Sequence, residues 1–191
     1  GNRLAFTLSS PGGSEIDTYD IALRSRSRLQ TESGQIDQLA WSPNQAALAY
    51  RLTTTGSPTG QIRVRSLVGR GNTTTLVSGA FEAPKWQSDS QHLFVKHRGN
   101  QGDDSSNQIY RIGSGQNSLI TSSPISLGDE QFNLTSFAVS PDGRQMVLLT
   151  ANPRKTELWL MNSDGTGLRP LNDNSIPPLQ QQEIAVSWTP T

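Results

Sequence analysis

The chain has no cysteine and only two histidines among 191 residues. The first absence excludes disulfides, thiolate metal centres and a cysteine nucleophile, and it leaves the compartment open. The second leaves His92 and His97 as the whole imidazole supply. They fall five residues apart in one short run, on opposite faces of a regular strand, so no metal site or catalytic dyad is expected from them. Net charge is missing too, since 16 basic and 16 acidic residues balance. A general attraction for nucleic acid or an anionic membrane surface is therefore not expected. Nor is there a long apolar run or a leader-like segment, so neither membrane insertion nor visible targeting is expected. No stretch of a dozen residues carries a helical apolar period.

What is present is repetition. An apolar strand ending in Trp or Val runs into a Ser-Pro-Asp-Gly-like turn four times: Leu39-Ala40-Trp41-Ser42-Pro43-Asn44, Pro84-Lys85-Trp86-Gln87-Ser88-Asp89, Phe137-Ala138-Val139-Ser140-Pro141-Asp142-Gly143 and Val186-Ser187-Trp188-Thr189-Pro190-Thr191. The anchors Trp41, Trp86, Val139 and Trp188 stand 45, 53 and 49 residues apart. A strand-built period of roughly 40 to 50 residues predicts a propeller with one four-stranded blade per repeat. The second repeat shows the plan, with short runs at 39–41, 47–52, 61–67 and 73–77 bounded by Gly, Pro, Asn and Ser. In the third run Arg63 and Arg65 alternate with Ile62 and Val64, the period of a strand. Proline fixes the second turn position, and Asp-Gly supplies left-handed backbone cheaply. The bulky anchors are expected to be largely buried as wedges between neighbouring blades.

The last copy stops in mid-turn at Thr191, and Gly1-Asn2-Arg3-Leu4-Ala5-Phe6 is what should follow that turn. The expected fold is thus all-β: a β-propeller of four WD-like blades, its ring closed by the C-terminal strand (184–191) completing the N-terminal blade. One domain is expected over 1–191, with blades at approximately 184–191 plus 1–33, 34–78, 79–122 and 134–173, and an insert at 123–133. Two chains exchanging the terminal strand are the other way to close a ring, so monomer and strand-exchanged homodimer both stay open. A start in mid-blade without Met points to a processed or cut chain. Apolar content of 32% suits a fold with many turns.

The stretch Val139-Ser140-Pro141-Asp142-Gly143-Arg144-Gln145-Met146-Val147-Leu148-Leu149-Thr150, followed by Glu157-Leu158-Trp159-Leu160-Met161-Asn162-Ser163-Asp164-Gly165, resembles the WD-like repeat of TolB-type β-propellers. The other copies depart from it: Asn44-Gln45 and Asp89-Ser90 stand where Asp-Gly would be. The resemblance implies a mostly bacterial, periplasmic or cell-surface setting and a partner-binding role. The same repeat builds the non-catalytic propeller of prolyl oligopeptidase-like enzymes and sensor domains of bacterial signalling proteins. The resemblance is to the repeat, and no single member's partner is carried over.

Catalytic chemistry is sparse. No Gly-x-Ser-x-Gly elbow exists. Gly113-Ser114-Gly115 reads as a hairpin turn, and Asp103-Asp104 lacks the ligand frame of a calcium loop. Arg24-Ser25-Arg26-Ser27-Arg28 reads as a solvated outer strand in preference to an anion-binding strip. Asn72-Thr73-Thr74 and Asn133-Leu134-Thr135 match the glycosylation sequon, a pattern common by chance. One constellation remains. Asp37 and Glu82 lie four residues before Trp41 and Trp86, where the innermost strands begin; Thr135 holds the place before Val139, and Glu183 adjoins it before Trp188. Such carboxylates would ring one mouth of the channel and could hold a cationic group, against the plainer reading of solvated loop-end acids.

The function expected is a non-catalytic module that binds a protein, peptide or glycan through channel-mouth loops, with Asp37, Glu82 and Glu183 as ligand-binding residues. No catalytic residue, metal or cofactor is expected. The alternative is an accessory propeller of a larger hydrolase or sensor, and a small glycan-acting enzyme using Asp or Glu pairs is a third reading.

Overall fold

The computed structural model describes residues 2–54, 56–57, 59–97, 108–113, 116–119, 125–127, 130–151, 156–171 and 186–188. All regular structure among them is β, in four antiparallel sheets. The first is β1 (Arg3–Ser10), β2 (Gly13–Asp20) and β3 (Ser25–Glu32), in that spatial order. The second is β4 (Gln35–Trp41), β5 (Ala47–Thr53), β6 (Gly60–Ser66) and β7 (Thr73–Gly79). The third joins β8 (Phe81–Trp86), β9 (His92–His97), β10 (Gln108–Gly113) and β11 (Gln116–Leu119). The fourth has five strands, β12 (Ile125–Leu127), β13 (Glu130–Val139), β14 (Gln145–Ala151), β15 (Thr156–Asn162) and β16 (Arg169–Pro170). Part of the expected insert, β12, is thus a strand on the outer side of β13. The chain divides into two compact units, Gly1–Pro84 and Lys85–Thr191.

Every sheet runs in chain order, as hairpin-linked strands do. The strands that follow the anchor turns are buried almost throughout: Leu48, Ala49, Tyr50 and Leu52 in β5, Leu93–Val95 in β9, and Met146–Thr150 in β14. A continuous buried run, in place of alternation, marks a strand covered on both faces. β1 stands next to β2 as β5 stands next to β6, yet Leu4 is 55% and Leu8 38% exposed.

In the first unit, Ile16, Ile36, Leu48, Tyr50 and Leu52 form one apolar cluster, flanked by Ala5, Leu29, Leu39 and Trp41. A buried polar link joins the first two sheets beside it. Glu32 at the end of β3 accepts the Tyr50 hydroxyl at 2.5 Å and Arg63 Nη1 at 2.8 Å. Burial, and the carboxylate it faces, push the Tyr50 phenol well above its ordinary pKa, so it stays a donor.

The turn after the anchor shares one bond in three sheets, since Asn44, Asp89 and Asp142 each accept the N–H two residues on, and two of the turns add a serine. Ser42 Oγ accepts Ala47 N–H at 2.9 Å and donates to Asn44 Oδ1 at 2.8 Å. Ser140 Oγ repeats this with Gln145 N–H at 2.9 Å and Asp142 Oδ1 at 2.6 Å. In the third sheet Asp89 Oδ1 accepts the N–H groups of Gln91 and His92 at 2.8 and 3.0 Å. The fourth residue past each anchor is left-handed: Gln45 (φ 59°), Ser90 (φ 58°) and Gly143 (φ 73°). A Cβ at Gly143 would also stand 2.3 Å from Ser88 Oγ, so glycine is doubly required there. The turn backbone has survived at two positions where its glycine has not.

Two expectations need correction or restriction. Trp41, Trp86 and Trp188 are half-buried, Trp41 and Trp86 at strand ends where the turn opens to solvent and Trp188 outside any strand; the fully buried indole is Trp159, whose Nε1 donates to Thr150 Oγ1 at 2.9 Å. The first sheet has three strands, and residues 186–188 lie outside any strand. The strand expected to complete the first blade is therefore not among the described strands, and 184–185 and 189–191 lie outside the described residues. Trp188 is nonetheless placed: its Nε1 donates to the Ala138 carbonyl on β13 at 3.1 Å.

Two outcomes follow for stability. Glu32→Ala strands the Tyr50 hydroxyl and the Arg63 guanidinium and should cost about 2–3 kcal/mol in urea unfolding; a loss under about 0.5 kcal/mol would show the link to be dispensable. Gln45→Gly relieves a left-handed side chain at some cost in unfolded-chain entropy, and should stabilise by about 0.5–1 kcal/mol. Destabilisation by Gln45→Gly would mean that the glutamine side chain itself supports the turn.

Candidate functional site

The residues nominated at the innermost strands divide into those the structure brings together and one that it does not describe. Asp37 lies on β4, paired directly across from Arg51 on β5. Antiparallel partners project to the same side, and Arg51 Nη1 stands 3.2 Å from Asp37 Oδ2. The ladder then slips between Asp37 and Ala40, where Gln38 takes a left-handed φ of 56°. A bulge of this kind re-aims the side chains around it. β13 has a matching slip between Leu134 and Ser136, at Thr135. A register slip thus recurs near the same repeat position in a second sheet, just after Asp37 in β4 and at Thr135 in β13.

Glu82, on β8, is half-buried and close enough for its charge to act on Asp37. Burial raises the Asp37 pKa above the ordinary 3.8, Arg51 opposes that rise, and Glu82 adds to it. The Asp37 side chain is still 47% exposed, so solvent moderates each of these effects. Arg51 pairs with Asp37, while its Nε is buried and lacks an acceptor. The Asp37 carboxylate leaves an exposed acidic edge. Glu183, the third nominated carboxylate, lies outside the described residues, as does the connection before it.

Arg51 was not legible as a site residue. It sits ten residues past Trp41, and Lys96 sits ten past Trp86. In both strands a long basic side chain follows the apolar run of a second strand. Lys96 is 8% exposed, and its Nζ donates to the carbonyls of Thr135 at 3.1 Å and Leu134 at 3.4 Å. It therefore holds the slipped segment of β13. The available signal was the matched spacing of the two basic residues from their anchors.

The remaining sequence candidates find ordinary places. His92 Nδ1 lies 2.6 Å from Asp89 Oδ2 and 3.0 Å from Arg111 Nη2, closing the turn before β9. Burial would raise the Asp89 pKa, but hydrogen bonds from the Gln91 and His92 backbone and the His92 ring hold it below the usual value. His97 packs edge-on to Tyr110, and burial pushes its pKa down. Gly113 ends β10 opposite Gln116 of β11, at the neck of a hairpin. Arg26 and Arg28 pair with Asp17 and Glu15 of β2, which is the solvated-strand reading of the basic run. Asp103 and Asp104 lie outside the described residues. Among the described residues no group of three or more His, Asp or Glu could hold a metal ion, and no helix is long and apolar enough to cross a membrane.

Comparison with known proteins places this architecture. No family model matches the chain, and no curated protein matches it. Solved structures do. TolB from Acinetobacter baumannii is 26% identical, with a TM-score of 0.62 over 86% of this chain and 39% of TolB. The β-propeller domain of the Trilobed protease from Pyrococcus furiosus is 16% identical, with a TM-score of 0.63 over 92% of this chain and 54% of that one. A puromycin-hydrolyzing peptidase of Mycobacterium tuberculosis is 15% identical, with a TM-score of 0.66 over 97% of this chain and 31% of the peptidase. The last two show the fold alone. Together these likenesses show a β-propeller fold of TolB-like type, and the chain spans between about a third and a half of the structures it matches.

The Asp37 carboxyl gives a pH signature. A carboxyl whose pKa is raised by folding contributes most to stability below its unfolded value, and that contribution is lost as pH rises through the folded value. The advantage of the wild type over Asp37→Asn should therefore shrink as pH climbs past 3.8 and level off above the raised pKa. Urea unfolding across a pH series reads this directly, and an advantage that grows with pH would reverse the assignment.

Proposed function

We propose that this chain is a non-catalytic β-propeller binding module of TolB-like type, in which the sheets act as four successive blades and the first is completed by a strand from residues 184–188. It engages a cationic group of a protein or peptide partner at the end of the innermost strands bearing Asp37 and Glu82. The observation that carries the reading is the electrostatic coupling of these two carboxylates, which stand at equivalent positions on consecutive innermost strands. Two acids that raise one another's cost of ionisation are relieved by an incoming Lys or Arg. Arg51 already satisfies part of that charge, so the site favours a single cationic group over a dense basic segment.

The TolB-type resemblance supports a periplasmic or cell-surface setting for such a module. The second reading is an accessory propeller of a larger peptidase. The likeness to a protease's propeller domain and to a peptidase supports it, together with the small share of those chains that is matched. Both readings keep the propeller itself free of catalytic chemistry.

The test is titration of the chain with short peptides carrying one Lys or one Arg, against matched neutral peptides, at low and high salt. Exchange of Asp37→Asn together with Glu82→Gln should weaken binding at least about tenfold and flatten its salt dependence. Unchanged affinity and salt slope in the double variant would remove this end as the binding site.

A further inference from the structure

We propose that the anchor-turn end of the first unit docks on an anionic bilayer surface. The aliphatic tips of two adjacent hairpins enter the headgroup layer, and the arginines beside them meet lipid phosphates. The residues are distinct from Asp37 and Glu82 and lie past the other end of β4.

Exposed apolar side chains are not scattered over the described residues. Outside β1, the large ones all lie in the turn between the last two strands of a sheet: Ile21 and Leu23 between β2 and β3, Val68 between β6 and β7, and Leu168 between β15 and β16. Leu23 is 75% and Val68 65% exposed. Each turn also places an exposed arginine just after its apolar residue, as Leu23-Arg24, Val68-Gly69-Arg70 and Leu168-Arg169. Single exposed aliphatics mean little, but an aliphatic and an arginine recurring together at one position of three sheets form a pattern.

Within the first unit, hydrogen bonds bring two of these turns to one end. Ile21 N–H donates to the Asn2 carbonyl at 2.8 Å, and the next residue, Arg3, lies over the Trp41 ring at 5.3 Å. Trp41 leads into the anchor turn, whose Ala46 carbonyl accepts the Leu67 N–H at 2.8 Å. Ile21, Leu23 and Val68 thus border one end together with Arg3, Arg24 and Arg70, all exposed. Asp20 is the sole acid of residues 2–3, 20–25, 42–46 and 67–72, and its Oδ1 is taken by the Leu23 N–H at 2.9 Å. Among the described residues Arg24 and Arg70 have no acidic partner, in contrast to Arg26 and Arg28. The balanced charge of the whole chain therefore hides a separation, with Asp37 toward the start of β4 and these cations beyond its end.

The turns are built to hold these side chains out. The bond from Leu23 to Asp20 fixes the first. In the second, Arg65 Nη1 donates to the Gly71 carbonyl at 2.8 Å, while Gly69 and Gly71 take left-handed φ angles of 66° and 59°. The first turn has a left-handed residue too, but it is Arg24 (φ 50°), where glycine would be unstrained. An arginine kept at such a position argues that its side chain is used.

The chemistry selects the occupant. Aliphatic tips on separate hairpins give a protein partner only small, divided contacts, whereas a fluid bilayer accepts tips at any spacing. Guanidinium groups beside them pair bidentately with phosphate, and each adds attraction to an anionic surface.

Flotation with vesicles of phosphatidylcholine and phosphatidylglycerol in equal parts, against phosphatidylcholine alone, tests this. The wild type should bind the anionic vesicles at least ~10-fold more tightly, and added salt should narrow the gap. Leu23→Ser with Val68→Ser, both at exposed sites, should weaken that binding at least ~10-fold. Arg24→Gly should weaken it ~5-fold while urea unfolding shows no loss of stability, which separates lost docking from lost fold. Equal binding to both vesicle types, or binding to neither, would overturn the docking face. Either variant binding as the wild type does would overturn it equally. Titration with cationic peptides reads the acidic end separately.

Discussion

The structure depends on one constraint: the strand that follows the anchor turn, β5, β9 or β14, must be covered on both faces. β5, β9 and β14 carry runs such as Leu48-Ala49-Tyr50 and Met146-Val147-Leu148-Leu149 with no polar side to turn to water. A single sheet cannot cover such a strand on both sides, so it needs packing from a neighbouring element. Local features follow from that demand. Hairpins keep successive strands adjacent, the left-handed turn after each anchor sends the chain straight back, and the polar link of Glu32, Tyr50 and Arg63 fixes how the first two sheets meet.

The same constraint explains where charge accumulates. A double-sided apolar strand can tolerate polar groups only toward its ends. Arg51 and Lys96 occupy that position, reaching past the apolar run to a carboxylate in one case and to backbone carbonyls in the other. In the fourth sheet Leu149 stands at the corresponding place, and in the first Thr7 does. The ends of β5, β9, β14 and β1 are thus chemically unlike from sheet to sheet. Recognition can be individual on a repetitive frame, and this is how a shared fold hosts separate functions.

Much of the fold was legible because turn chemistry is local. Pro141-Asp142-Gly143 and its weaker copies located the innermost strands, and runs expected at 47–52 and 61–67 appear as Ala47–Thr53 and Gly60–Ser66. Gln45 and Ser90 show the limit of that signal, since the backbone conformation outlasted the glycine that would announce it. That Trp41 is only partly buried was not legible, because a strand-terminal tryptophan reads like a core one until the position of the strand end is known. Arg51 was missed for a related reason. Its role comes from a cross-strand partner fourteen residues away, Asp37, which only the register reveals. Repeat alignment alone puts Asp37 and Glu82 at matching strand positions, and Glu183 falls outside the described residues.

The turn bonds have a further consequence for how the molecule ages. Asp-Gly sequences are where chains commonly isomerise, as the amide nitrogen after the aspartate attacks its side-chain carboxyl carbon. At Asp142-Gly143 that nitrogen is occupied, donating to the Ser140 carbonyl at 2.8 Å, while the carboxylate is held by the Ser140 hydroxyl and the Arg144 N–H. Asp164-Gly165 is held likewise: the Gly165 nitrogen donates to the Asn162 carbonyl at 2.9 Å, and Thr166 holds the Asp164 carboxylate. In both turns nucleophile and electrophile are each engaged elsewhere. The geometry that directs the hairpins therefore also lengthens the chemical lifetime of their most vulnerable bonds, and that protection lasts only while the sheets remain folded.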